Sequence, residues 1–442
     1  MKTCLAVMLM VPLLFPRAGQ ATERADTTVL SVKDFGASGT GTKDDAPALI
    51  KCLTTATQHA GPVVVKIPYG VYKISRSLKV DMNKCNSLTI IGIPQDHKLP
   101  EIKTDQFINL LEVYSHDWAP KGKVTIRNLS LVGNNPPYSA NHPYYDKPAF
   151  RTGISVLNLK QADISDNYVS NVYGNGIGVT YSSGLFKNLK NRYTRVVIKN
   201  NHVLNCWGLH PTKVANKSHD DYGDGIYTNC VKNGIIAGNQ VINDLNVTKQ
   251  FGRGGITLEY NDEDCQVLNN HVSGYDRNIH LEQDIGGHLI KGNTLEGSDF
   301  GILVYDVPKA QNKPIRIVDN TITNKGLSLN SKVKRVRNSE ERCLLSFYAK
   351  GNIRKGSKIA GNHFIIDSRY AYPYSSITRF NAQGLIIKNN TFSSNMPPNK
   401  MKSVSFLVPV DTLSNNQFRD VHLKLFQGGK GQMISNNKTV AH

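Results

Sequence analysis

The sequence predicts an all-β solenoid, one continuous core built from stacked coils, and two repeats carry that prediction. The first is a five-residue phrase: Gly255-Ile256-Thr257-Leu258-Glu259, Asn278-Ile279-His280-Leu281-Glu282 and Gly301-Ile302-Leu303-Val304-Tyr305, each starting 23 residues after the last. The second places asparagine three residues after an aliphatic one, at Asn167, Asn201, Asn239, Asn270, Asn293, Asn320, Asn362, Asn390, Asn416 and Asn437. Two residues after each stands Val169, Val203, Val241, Val272, Leu295, Ile322, Phe364, Phe392, Phe418 and, departing from the pattern, Thr439. A strand, a turn and a second strand at one period mean coils that bury one another's apolar faces. Short strands joined by Gly and Asn turns, with no helix in each repeat, exclude the leucine-rich and ankyrin types.

Composition supports the reading. The chain has 442 residues, 39% hydrophobic and 20% charged, enough for a large core and too polar for a membrane protein. Residues 1–21 stand apart: Lys2, an apolar run from Cys4 to Phe15, and small residues at Gly19 and Ala21 form a secretory signal peptide with cleavage expected after Ala21. The run is too short to span a bilayer, so a secreted or periplasmic protein without membrane insertion is expected. Residues 22–31 read as a polar linker. The formal charge of +19 becomes +17 once Lys2 and Arg17 leave with the leader. Such a field attracts polyanions, and outside the cytoplasm an acidic polysaccharide, not nucleic acid, is the expected partner. No oligomeric state is assigned. Six cysteines remain after the leader (Cys52, Cys85, Cys206, Cys230, Cys265 and Cys343), and buried free thiols compete with disulfides as their state.

In chain order, Val32-Lys33-Asp34-Phe35-Gly36-Ala37 reads as a strand entering a glycine-rich turn. Asp44 or Asp45 then caps a helix whose apolar face carries Ala48, Leu49, Cys52 and Leu53. From Gly61-Pro62 to Tyr72 the pattern is strand, turn, strand. Asp34-Phe35-Gly36-Ala37, Gly41-Thr42-Lys43-Asp44-Asp45 and Ile67-Pro68-Tyr69-Gly70-Val71-Tyr72 resemble the entry segment of the pectate-lyase-like superfamily of right-handed parallel β-helices, which includes rhamnogalacturonase- and epimerase-type members and tailspike depolymerases. The resemblance implies a single-stranded right-handed parallel β-helix. An N-terminal cap and first coils (32–123) would run without a break into the repeats (124–442). The reaction has to be argued from the site.

The first repeat extends through Gly153-Ile154, Gly176-Ile177, Gly225-Ile226, Leu344-Leu345, Ser376-Ile377 and Ser405-Phe406. Strand alternation puts Ile226, Ile256, Ile279 and Ile302 inside and their neighbours outside. The ten asparagines suit turns, because asparagine tolerates left-handed backbone, and are read as structural. From Gly176 to Gly225 is 49 residues, so about one coil's length is inserted, in the stretch from Cys206 to Asp224 that holds His210, His219, Asp220 and Asp221. Two further insertions are a basic one from Lys325 to Arg342 and an aromatic one from Asn134 to Phe150. Spacing in the loop with His210 and His219 does not specify a metal site, and His271 and His288 fall in or near repeat turns.

Stacking in register brings equivalent positions of successive coils within about 4.8 Å. The fifth position then aligns Asn229, Glu259, Glu282 and Tyr305, the third Tyr227, Thr257, His280 and Leu303, and the seventh Val231, Asn261, Asp284 and Val307. Two stacked glutamates destabilise one another, an arrangement folding does not need. Their repulsion should raise one pKa and supply an acid and a base from adjacent coils. Glu259, Glu282, His280 and Asp284 are therefore the candidate catalytic residues of a glycoside hydrolase. Either close carboxyls (retaining) or a longer span, Glu259 to Asp284 or Asp224 to Glu282 (inverting), would serve. Tyr227, Asn229, Arg253, Asn261, Arg277, Tyr305, Asp221 and Asp224 are the candidate substrate-binding residues. The stretch Asp220-Asp221-Tyr222-Gly223-Asp224-Gly225 echoes, without matching, the paired aspartates of the superfamily's pectin hydrolases. A polysaccharide lyase or uronate epimerase is the alternative, with Ca2+ on Asn229, Glu259 and Asn261 as in the calcium-dependent lyases the pattern resembles. A non-catalytic glycan-binding or adhesive β-helix is the second alternative. Hydrolysis needs no cofactor, and no residue is assigned to a metal.

Overall fold

The computed structural model describes residues 27–82, 84–116, 121–135, 151–182, 189–208, 223–305, 312–327, 342–348, 354–370, 374, 376–397, 400, 402–425 and 433–440. The expected leader, His210, His219, Asp220 and Asp221, and most of the aromatic and basic insertions lie outside these residues. The described chain winds as a right-handed parallel β-helix whose coils each give one strand to each of three long sheets, of 14, 14 and 12 strands. Among the described residues no helix is long and apolar enough to cross a membrane.

The first strand is Thr28–Ser31, which pairs with Val63–Lys66, so the end of the segment read as a linker already belongs to the sheet. Strand Thr40–Asp44 leads into helix Ala46–Ala56, which buries Leu49, Cys52 and Leu53 against the open end of the first coil. The two aspartates divide the work: Asp44 accepts from the Ala46 N–H, while Asp45 accepts from the backbone N–H groups of Ser38 and Gly39 and ties down the glycine-rich turn.

The second repeat forms a continuous column. Asn270 shows the unit: its backbone N–H and Nδ2 donate to Oδ1 of Asn293 at 2.9 and 3.0 Å, and Nδ2 also donates to the Ile236 carbonyl at 2.9 Å. Its own Oδ1 accepts from the N–H and Nδ2 of Asn239. The same exchange links the column from Asn167 to Asn437. The asparagines are structural, but not for the reason of left-handed backbone. That conformation belongs to the residue before each, such as Asp166, Asn200, Asn269 and Asn389 at φ 57°, 55°, 52° and 57°. The column asparagines turn inward, fully amide-bonded, where an unpaired polar group would be costly.

Inside, Ile226, Ile256, Ile279 and Ile302 are fully buried in one line. Phe364, Phe392 and Phe418 stack with centroids 4.9 and 5.2 Å apart. Two later coils are phased differently from the sequence pattern. Thr378 and Val404 take the place of Ile302 and Leu345, so Ile377 sits one residue early and Phe406 two late. That shift stacks Phe380 on Phe406 at 5.0 Å. The long interval before Gly225 adds no coil, since Ile177 pairs directly with Ile226. The six cysteines are free and buried.

The column makes a direct prediction. Asn270→Ala strips partners from Asn239 and from the Ile236 carbonyl and should cost about 2–4 kcal/mol in urea unfolding, at one to two stranded polar groups. A loss under about 0.5 kcal/mol would mean that the column is not a structural element.

Candidate active site

The third sheet carries the site. Strands Ile226–Asn229, Gly252–Glu259, Tyr275–Glu282 and Phe300–Tyr305 pair in the predicted register: Tyr227, Thr257, His280 and Leu303 align, as do Asn229, Glu259, Glu282 and Tyr305. The seventh position does not follow. Left-handed residues at Tyr260, Asn261 and Gln283 turn the chain off the face immediately after Glu259 and Glu282. Asp284 is therefore fully buried, held by His288 at 2.8 Å and by Arg354, whose attraction keeps its carboxyl below the ordinary range against the pull of burial. It is a structural ion pair, not a catalytic carboxylate, and the Glu259-to-Asp284 span falls with it. Asn261 leaves the face at the same turn. Asp221 lies outside the described residues.

The outward face is also closed where an open polar ladder was expected. Glu259 is 3%, His280 1% and Thr257 0% exposed, whereas the Glu282 side chain keeps 22%. At the centre is Arg253, whose side chain is 13% exposed. Its guanidinium donates to Asp224 at 2.9 Å and to Glu259, and lies 3.6 Å from Glu282. Three carboxylates from three successive coils thus converge on one cation. Gly254 makes this possible: a Cβ there would stand 2.6 Å from Asp224 Oδ1 and 2.0 Å from Thr257 Oγ1, which hydrogen-bonds that oxygen at 3.1 Å. The Tyr227 hydroxyl donates to the other oxygen of Glu259 at 3.1 Å, and the Asn229 amide donates to Tyr227.

Charge is distributed unequally. Burial lifts Asp224 to about 6, Arg253 opposing and the Glu259 charge adding to the rise. The carboxyl that keeps its proton toward neutrality is therefore Asp224, a residue expected to bind substrate or to serve as the distant carboxyl partner of Glu282. Burial first, then Arg253, hold His280 well below its ordinary value and hence neutral. His280 Nδ1 lies 3.6 Å from Glu259 and Nε2 3.3 Å from Glu282. Arg277 pairs across the sheet with Phe300 but is 3% exposed and faces Asp276 at 3.2 Å, so it does not meet solvent as a substrate-binding residue would.

The calcium set read from sequence does not assemble. Asn229 Oδ1 accepts the Tyr181 N–H at 2.6 Å and Asn261 has turned away, which leaves Glu259 alone of the three. On the other side of Glu282, Tyr305 is 42% exposed and stacks on Tyr348, with centroids 5.8 Å apart and planes at 25°. Tyr348 was missed, although it is the fifth residue of the phrase that begins at Leu344 and lay within reach of the same count. Thr257 was placed in the third column without a role. Spacing did not show Asp224 beside it, because Asp224 precedes the strand Ile226–Asn229 and lies outside the paired register. Arg253→Met should lower stability by about 3–5 kcal/mol at pH 8 by leaving charged carboxylates unpaired. The loss should shrink toward pH 4, where protonation removes the repulsion; an equal loss at both pH values would contradict this electrostatic account.

Comparison with known proteins agrees with the fold. A family model described as rhamnogalacturonase A/epimerase, pectate lyase-like matches residues 29–303, more than half the chain. Among curated proteins none matches. The structure is similar to the Agl-KA catalytic domain at TM-score 0.58, with 14% identity over 98% of this chain and 70% of that one. A Family 28 exopolygalacturonase of Yersinia enterocolitica matches at TM-score 0.52, with 13% identity over 94% and 79%. PfbA, a surface adhesin of Streptococcus pneumoniae, matches at TM-score 0.51, with 12% identity over 94% and 93%. These likenesses show the shared coil architecture, and the family match assigns the chain: it belongs to the rhamnogalacturonase A/epimerase, pectate lyase-like family of parallel β-helix proteins.

Proposed function

We propose that this chain is an exported enzyme that hydrolyses glycosidic bonds of an acidic polysaccharide along the outward face of the third sheet. The observation that carries the reading is the convergence of Asp224, Glu259 and Glu282 on Arg253, with only Glu282 partly open. A carboxyl that holds its proton and a second one open to solvent form the acid and base pair that glycoside hydrolysis needs. Asp224 is buried, so the proton it holds reaches the leaving sugar oxygen through one bridging water. Glu282 accepts a proton from the attacking water or attacks the anomeric carbon itself. Glu259, locked by Arg253 and Tyr227, positions the guanidinium and is not the free acid. The exposed Tyr305, stacked on the half-buried Tyr348, offers a flat face to a sugar ring beside Glu282. The charge of +17 left after the leader, whose cleavage would place the protein outside the cytoplasm, favours a polyanionic glycan.

β-Elimination is the second reading, supported by one feature: a neutral His280 can take a proton from the carbon beside a uronate. Incubation with acidic polysaccharides separates the two, because hydrolysis yields reducing ends without the ultraviolet absorbance of an unsaturated uronate. Binding with no cleavage would instead support an adhesive role. Under the hydrolytic reading Glu282→Gln should lower kcat by about 10²–10⁴-fold, and full activity in that variant would refute the assignment. Activity should fall as pH rises through about 6, where Asp224 loses its proton, and Asp224→Asn should remove that limb along with most of the rate.

A further inference from the structure

We propose that Glu259, His280 and Glu282 form a binding site for one divalent transition-metal ion of the zinc type. One ligand atom from each of the three lies within 4.8 Å of the others. The independent observation is His280 itself. It is 1% exposed, and neither ring nitrogen makes a hydrogen bond among the described residues, although each faces a carboxylate oxygen, Nδ1 toward Glu259 and Nε2 toward Glu282. A buried imidazole nitrogen without a hydrogen-bond partner is unfavourable, and an ion coordinated at one of the two nitrogens would supply that partner.

The donors select the ion. Zinc takes imidazole nitrogen and carboxylate oxygen at about 2.0–2.2 Å, so tetrahedral ligand atoms stand about 3.4 Å apart. Binding would draw the ligand atoms, now within 4.8 Å of one another, to that spacing. Calcium, which takes oxygen ligands, is a poor match for a site centred on imidazole. Arg253 need not leave, because a carboxylate oxygen has two lone pairs and can hold the guanidinium on one side and the ion on the other. Three protein ligands leave a position for water on the side of Glu282, the open edge of the cluster. The inference rests on this face being the reacting one. An ion held there by Glu259, His280 and Glu282 would lower the proton affinity of a water at the open position.

The test is calorimetric titration of Zn2+ into protein stripped with chelator, alongside melting curves. About one equivalent should bind and raise the melting temperature, and an equal concentration of Ca2+ should not compete. His280→Gln and Glu282→Gln should each weaken binding at least tenfold. Because His280 is buried, the Glu282 variant at the rim provides the check if the first misfolds. Absence of binding, unchanged affinity in Glu282→Gln, or full competition by Ca2+ would each overturn the site. The readout is binding, so it separates from the hydrolytic reading: zinc bound by a protein that cleaves no glycan sinks only the latter, and cleavage by a protein that binds no zinc sinks only the former.

Discussion

Everything in this molecule depends on coils stacking in register, and the asparagine column is the interaction that holds them there. Apolar side chains alone tolerate sliding, since isoleucine on isoleucine is nearly as good as isoleucine on valine. A buried amide does not. If Asn270 shifts by one residue, Asn239 loses two acceptor contacts and the Ile236 carbonyl loses its donor. Each such loss costs about 1–3 kcal/mol, so register is enforced coil by coil. The outward columns inherit that precision at no further cost, which is why groups from three separate turns of the chain can be aimed at one guanidinium.

The candidate site is an exception to the economy of the rest. Three carboxylates and an imidazole are packed where solvent barely reaches, and one arginine carries the compensating charge. The balance is incomplete, as the raised proton affinity of Asp224 shows. By contrast, Glu263, also buried but beside Arg192, Lys313 and Lys232, is drawn down to about 2. Both are acidic groups beside cations on neighbouring coils. Desolvation wins at Asp224, which faces one cation and the Glu259 charge, and attraction wins at Glu263, which faces three cations.

Much of this was legible in the sequence because a solenoid converts linear spacing into spatial neighbourhood. The columns of Glu259 with Glu282 and of Thr257 with His280 followed from counting alone. The count failed where the backbone stopped being a strand. Left-handed residues after Glu259 and Glu282 removed Asn261 and Asp284 from the face, and no periodicity announces such a turn. It also missed depth: strand alternation says which way a side chain points, not whether a neighbouring segment covers it. Arg253 was named as a contributor, but its central place depends on side-chain reach across three coils, which a column count does not measure.

The asparagine column has a direction. From Asn167 to Asn416 every side chain donates one amide hydrogen to the asparagine of the next coil, and from Asn201 to Asn437 every Oδ1 accepts from the one before, so the amide-to-amide links all run the same way. Such a chain polarises itself, each link strengthening its neighbours. It also makes the whole coil the natural unit of change in length. A complete coil can be duplicated or deleted in phase without orphaning a donor, whereas any fraction of one leaves an amide facing nothing. Variation among such proteins should therefore come as whole turns of the solenoid or as loops that leave the column untouched, as in the long interval between Ile177 and Ile226.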